Sequence, residues 1–444
     1  MEYLIRLTQT HQDFRLAEIQ ALADLNNLEL EILSYRSDVS NSPFCFVKLP
    51  SEEAAIKLIQ RSILSKAIYE VWGKGKTYEA LHNNVRLISS HLWPIYKNCS
   101  FKFSFDAFQA TRCLAEQKRL INSFHFLGFE GSIKMRGAEQ EFCIFEEWKL
   151  RPERLGDHHE PDMVYIGRYL GGSDRDVVQK LDLKKRNYIC TTSMDAELAL
   201  ITANISLAAP GKLFYDPFVG SGSFLVACAY FGAVVFGSDI DGRSIRGKGE
   251  RNLYSNFIQY KLKDFFGDTF VADLTNSPLR RIKAFDSIIC DPPYGVREGL
   301  KVLGSRDPTK GKEPVVRDGH AHHTLDSYIP PKRPYGFIAM LHDILDFAAL
   351  SLVENGRLSF WMPTSNDRDQ EIKIPQHPCL KISSVCTQNF SKWSRRLITY
   401  RRIHDSEISH LAREPRAEVD GVNADELNPF RKGYFQGFKS INNC

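Results

Sequence analysis

The chain has 444 residues, 43% of them hydrophobic and 25% charged. That composition can fill two or three packed domains and excludes a mainly disordered protein. Lys and Arg number 58 against 54 Asp and Glu, so the formal charge is only +4, which permits an anionic partner without requiring one. Ten cysteines are scattered with no C-x-x-C pair, a pattern that argues against a structural zinc site and against a disulfide scaffold. The start, MEYLIRLTQTHQDF, does not read as a secretory leader, and no run approaches the roughly 18 apolar residues of a membrane span. A cytoplasmic protein without a membrane segment is expected.

Residues 3–7 (YLIRL) alternate as a strand, 14–25 have helical apolar spacing, and 28–35 and 43–49 read as strands. Ser51-Glu-Glu opens a helix over 51–60, and 66–72 closes the set with another strand. This β-α-β-β-α-β order is the split βαβ arrangement, expected over 1–75. A second α+β unit is expected over 76–150. It has a helix near 78–90, a strand at 101–105, a helix at 111–124 and strands around 132–136 and 141–145. Lys118, Arg119, Lys134 and Arg136 are interleaved with aromatics there. The polar stretch 151–186 reads as a linker carrying one short helix.

From 187 to 444 longer strands and helices alternate, the pattern of a doubly wound parallel sheet. Helices are expected at 195–209, 223–231, 242–254 and 334–353. Strands are expected at 212–215, 234–237, 269–272, 285–290 and 357–361, with a final antiparallel pair at 381–386 and 397–401. The 295–333 stretch is long enough to suggest a functional loop.

The candidate chemistry lies at the ends of these strands. Asp216-Pro-Phe-Val-Gly-Ser-Gly-Ser223 joins a strand to a helix, and Gly220 and Gly222 let the backbone approach a ligand at the helix N-terminus. Leu225 stands where a dinucleotide fingerprint needs a third glycine, and Asp216 suits a cation better than a pyrophosphate. Asp239, at the end of the next strand, can accept ribose hydroxyls, and Asp273 can accept from an adenine amine. Asp291-Pro-Pro-Tyr-Gly295 follows strand FDSIIC. Pro292 and Pro293 stiffen the backbone, so that Asp291 and the Pro292 carbonyl present two fixed acceptors to a planar –NH₂ while Tyr294 stacks on its ring. Methylation of an exocyclic amine needs such acceptors as positive charge develops on the nitrogen. His158, His159, Glu160, His320, His322 and His323 lack matched partners, and no metal is expected. Lys392, Arg395, Arg396, Arg401 and Arg402 surround Trp393, as a solvated face or as phosphate contacts.

DPFVGSGS, SDID, VADLT and DPPYG in this order resemble class I S-adenosylmethionine-dependent methyltransferases acting on nucleobase amines. With TTSMDAELAL (191–200), SDIDGRSIRG and DPPYGVREG, the chain is similar to the eukaryotic tRNA guanine-10 N2-methyltransferase catalytic-subunit family. The resemblance implies an α/β fold: a Rossmann-like methyltransferase domain preceded by ferredoxin-like and THUMP α+β domains. It also implies S-adenosylmethionine as cofactor, held by Thr192, Ser193, Asp216, Gly220, Gly222, Asp239 and Asp273. The target guanine falls to Asp291, Pro292, Pro293 and Tyr294, with tRNA and a small zinc-binding activator subunit as partners. DPPY alone also suits adenine N6 or cytosine N4 in ribosomal RNA or DNA, and a non-catalytic RNA-binding protein is the remaining alternative.

Overall fold

The computed structural model describes residues 1–35, 41–148, 160–304, 316–317, 319–321, 325, 328, 330–366, 371–408 and 424–436. His158, His159, His322, His323 and Cys444 fall outside these. The chain divides into two compact units, Met1–Asp176 and Val177–Cys444.

The first unit runs β1 (Glu2–Leu7), α1 (Arg15–Leu25), β2 (Glu31–Tyr35), β3 (Phe44–Lys48), α2 (Glu52–Ile59) and β4 (Ser65–Gly75). It continues through α3 (Tyr78–Ser89), α4 (Trp93–Tyr96), β5 (Phe101–Phe108), α5 (Leu114–Asn122), β6 (Gln140–Glu147) and β7 (Met163–Gly172). The expected β-α-β-β-α-β order is present, and Ser51 caps α2 by accepting from the Ala54 amide at 3.2 Å. Alternation along β1 sends Tyr3, Ile5 and Leu7 toward α1 and α2, and Leu4 to the other face against Phe44 and Tyr165.

Two expectations for this unit need correction. The stretch 151–186 is more than a linker: YIGRYL within it belongs to the ten-residue β7, which pairs antiparallel with both β4 and β6. Val164 and Ile166 are buried in one core and Tyr165 in the other, and the charged flanks hide this alternation in the sequence. Through β7 all strands join one sheet in the order β2-β3-β1-β4-β7-β6-β5. The expected domains at 1–75 and 76–150 therefore share a sheet within one compact unit. The strand expected at 132–136 shrinks to a single bridge between Ile133 and Phe101, between Gly131, whose backbone lies against the Cys99 carbonyl, and Gly137 at φ +65°.

The second unit holds α6 (Asp176–Lys180, straddling the boundary), α7 (Ala196–Ile205), β8 (Leu213–Asp216), α8 (Ser223–Tyr230), β9 (Val234–Asp239), α9 (Gly242–Arg246) and α10 (Leu253–Tyr260). Next come β10 (Phe266–Val271), β11 (Phe285–Cys290), β12 (Lys301–Leu303), β13 (Val316–Arg317), β14 (His320–Ala321) and β15 (Lys332–Pro334). It ends with α11 (Phe337–Ser351), β16 (Leu352–Ser365), β17 (Leu380–Asn389), β18 (Trp393–Arg402) and α12 (Pro429–Gln436). The sheet order is β10-β9-β8-β11-β16-β18-β17, parallel up to β16 and antiparallel for β18 and β17. Ile288, Leu358, Phe360, Ile398 and Tyr400 pack one core with Phe337, Leu341 and Leu345 of α11.

The single helix expected over 242–254 is two. Gly247 adopts φ +57°, and a side chain there would collide with the Arg251 carbonyl, so the chain breaks between α9 and α10. In the 295–333 loop, β12 and β15 form an antiparallel pair, Val302 opposite Arg333.

Candidate active site

Strand order reverses between β8 and β11, and in open α/β sheets ligands bind beyond the carboxyl ends of the strands at such a switch point. Asp216 ends β8, Asp239 ends β9, Asp273 follows β10 and Asp291 follows β11. Burial pushes the Asp216 carboxyl well above its usual range, and the nearby Asp239 and Asp291 push it further. Asp216 accepts from the Phe218 amide at 2.9 Å, which closes the turn.

The turn that follows depends on two left-handed glycines. Gly220 (φ +49°) has almost nothing near its absent side chain, so the loop leaves open space there. Gly222 (φ +82°) starts α8 and packs against Leu253. Asp239 has a task the sequence did not suggest: its carboxylate accepts from the Gly220 amide at 2.9 Å and the Asp241 amide at 2.8 Å, tying β9 to the glycine turn. Burial raises Asp239, although both amides pull the other way. Ser193 shares a 2.6 Å hydrogen bond with Ser221 and so sits on this turn, while Thr192 is exposed beside it.

Asp273 is more committed to its own chain than the sequence implied. Its Oδ1 accepts from the Thr275 amide and hydroxyl, both at 2.9 Å, and its Oδ2 from the Leu303 amide at 2.7 Å, which holds β12 in place. A carboxylate has about four acceptor sites, so roughly one is left for a ligand.

At the tip of β11 the Tyr294 hydroxyl donates to Asp291. Arg395 of β18 lies 4.0 Å from the same carboxylate, its guanidinium 4.6 Å above the Trp361 ring and its Nε donating to Gln388 at 2.6 Å. Burial pushes Asp291 up to about 6 against the pull of Arg395 and Tyr294. Tyr294 meets Trp393 edge-on at 6.4 Å and Phe430 at 6.5 Å. Of the basic run around Trp393, then, Arg395 faces the site.

Sequence reasoning missed residues 425–436. The Asn428 amide donates to the Tyr294 carbonyl at 2.9 Å, and Arg431 donates to the Gly295 carbonyl. The available signal was Asn428-Pro429, an N-cap residue followed by a first-turn proline.

A buried carboxylate, Asp216, raised further by Asp239 and Asp291 beside an open glycine turn, fits a ligand carrying positive charge, such as an ammonium and a sulfonium. Sheet order and site together define a class I methyltransferase directed at a planar amine. Residues 184–303 match the family described as "RMKL-like, methyltransferase domain", and residues 1–175 match "Tmrp11 THUMP N-terminal domain". The chain is 41% identical over 443 residues to the tRNA (guanine(10)-N(2))-methyltransferase of Saccharomyces cerevisiae, covering 98% of this chain and 99% of that one. To the Schizosaccharomyces pombe protein of the same name it is 38% identical, covering 98% and 96%. A solved structure of TrmN from Thermus thermophilus aligns with 91% of this chain and all of that one, at 15% identity and TM-score 0.41. The chain belongs to the tRNA (guanine(10)-N(2))-methyltransferase family.

Proposed function

We propose that this chain methylates the exocyclic N2 amine of guanosine 10 in tRNA, with S-adenosylmethionine as donor. The observation that carries the reading is Asp291 at the tip of β11, held between Tyr294 and Arg395 next to the acidic cluster around the glycine turn. Bound there, S-adenosylmethionine supplies a methyl group made electrophilic by its sulfonium. Asp216 and the Gly220–Gly222 turn receive its methionine end, Ser193 and Thr192 flank it, Asp239 takes the ribose and Asp273 the adenine.

The amine is a poor nucleophile because its lone pair is delocalised into the guanine ring. Asp291 and the Pro292 carbonyl accept its two hydrogens, Pro293 keeps the backbone rigid behind them, and Tyr294 stacks on the ring. As charge builds on nitrogen, the Asp291 carboxylate stabilises it and takes the proton. A guanine in a paired stem must be flipped out to reach this site. Lys118, Arg119, Lys134 and Arg136 of the first unit are all exposed, and they support that unit as a source of tRNA affinity. A cytoplasmic location belongs to the same reading, since it is where the tRNA would be met.

The test is methyl transfer to unmodified tRNA, with the product mapped by mass spectrometry. Label on N2 of guanosine 10, absent when that base is changed to adenosine, is the expected result; label elsewhere, or on ribosomal RNA or DNA instead, would overturn it.

A small zinc-binding activator subunit is part of the proposal. β10 stands at the edge of the sheet, where its free side can take another strand. Phe266 is only half-buried and Val271 is 50% exposed. The lone chain should be poorly soluble or weakly active and rescued by co-expression with the activator. A monodisperse, fully active lone chain would contradict this.

A further inference from the structure

The loop carrying the target-amine acceptors has an anchoring problem built into its sequence. Pro292 and Pro293 have no N–H, so two successive residues cannot tie the backbone to its surroundings by donating. The loop is instead gripped by its carbonyls, and the groups that grip it come from far along the chain. Asn428 Nδ2 donates to the Tyr294 carbonyl at 2.9 Å across 134 residues, and the Arg431 guanidinium donates to the next carbonyl, of Gly295.

This grip is itself firmly mounted. Asn428 is 1% exposed, and its Oδ1 accepts from the Arg431 amide at 3.1 Å, capping α12. One residue earlier, the Leu427 carbonyl accepts from the Phe337 amide at the start of α11, at 3.1 Å. Phe430, 3% exposed, packs against both Tyr294 and Trp393. Gly295 sits at φ +80°, and a side chain there would strike the Asn428 amide, so loop and tail meet at a separation only glycine allows.

We propose that Asn428 is a positioning residue for methyl transfer, with Arg431 beside it: the segment 425–436 sets the direction of Asp291 and of the adjacent carbonyls, so the tail is a working part of the active site. The proposal rests on the reading of Asp291 as the acceptor for the target amine. Its logic is preorganisation. Acceptors aimed at a developing charge lose much of their effect when displaced by a fraction of an ångström to an ångström.

Asn428→Ser is the discriminating variant. Serine caps a helix about as well as asparagine, so α12 keeps its start, but the shorter hydroxyl cannot bridge to the Tyr294 carbonyl. Single-turnover methyl transfer to unmodified tRNA should fall by about 10–100-fold, with S-adenosylmethionine and tRNA dissociation constants within about twofold and the melting temperature lowered by only a few degrees, the cost of one buried hydrogen bond. Hydrogen exchange at the Tyr294, Gly295 and Val296 amides should rise about tenfold, as expected when one buried hydrogen bond is lost, with the rest of the second unit unaffected. The exchange measurement needs no substrate, so it tests the grip even if wild type fails to methylate tRNA, a result that would sink the reading of function instead. A wild-type rate for Asn428→Ser, unchanged exchange at 294–296, or a rate loss matched by equal losses in cofactor binding and melting temperature would each overturn the positioning role.

Discussion

Asp291→Ala should slow methyl transfer to unmodified tRNA by about 10²–10³-fold, or ~3–4 kcal/mol in the barrier, the usual cost of losing one preorganised partner of a developing charge. S-adenosylmethionine binding should change little, because the proposed ribose and adenine contacts are Asp239 at the end of β9 and Asp273 in the turn after β10. Asp291→Asn keeps an acceptor oxygen but loses the charge and the capacity to take a proton, so it should fall between wild type and Ala. Wild-type rates for Asp291→Ala would remove this carboxylate from the target amine.

The same residue sets a pH profile. Burial pushes Asp291 up to about 6, with Arg395 and Tyr294 opposing and Glu298 adding. Only the ionised form can accept the proton, so the single-turnover rate should fall about tenfold per unit as pH drops below about 6 and level off above it. Asp291→Asn should lack this limb. Arg395→Met removes a cation that favours the carboxylate, so it should move the limb to higher pH. An acid limb that stays in place in both variants would belong to some other group.

The parts of this site legible in the sequence were those that lie at the tips of strands. A buried parallel strand announces itself as a short apolar run, and an acid or a glycine pair immediately after it falls where ligands bind. Asp216, Asp239 and Asp291 were readable on that basis, and each does end or follow its strand. The elements that stayed hidden depend on distant partners. Strand β7 is buried only because β4 and β6 flank it, and RPERLGDHHEP before it conceals its start. Asn428 reaches a residue 134 positions away, and no local periodicity reports such a contact. Asp239 and Asp273 illustrate a third limit. Their types suggested ligands, yet both also hold the backbone of the site together through amides the sequence could not place.

The largest loss of stability is expected from an ion pair of the first unit. Glu146 lies fully buried at the end of β6, where it accepts from Tyr78 at 2.8 Å, from Trp148 at 2.9 Å and from Arg112 Nε and Nη2, both at 3.1 Å. Arg112 also covers the Trp148 ring at 5.0 Å. Both hydroxyl and indole donors are neutral, so Arg112 is the hydrogen-bonded cation facing a carboxylate that water does not reach. Arg112→Leu strips that cation and leaves an uncompensated buried charge, which should cost the first unit about 3–5 kcal/mol. For a unit of this size each kcal/mol moves the melting midpoint by about 2–4 °C, so calorimetry should show a clearly lowered transition. Arg112→Leu with Glu146→Gln removes both charges; the glutamine oxygen still accepts from Trp148 and its NH₂ donates to the Tyr78 hydroxyl, which can turn to accept, so the double variant should recover much of the loss. The cycle of single and double variants separates the ion pair from lost packing over Trp148. A double variant as unstable as Arg112→Leu alone would assign the cost to packing, and an unshifted single variant would show that the pair contributes nothing.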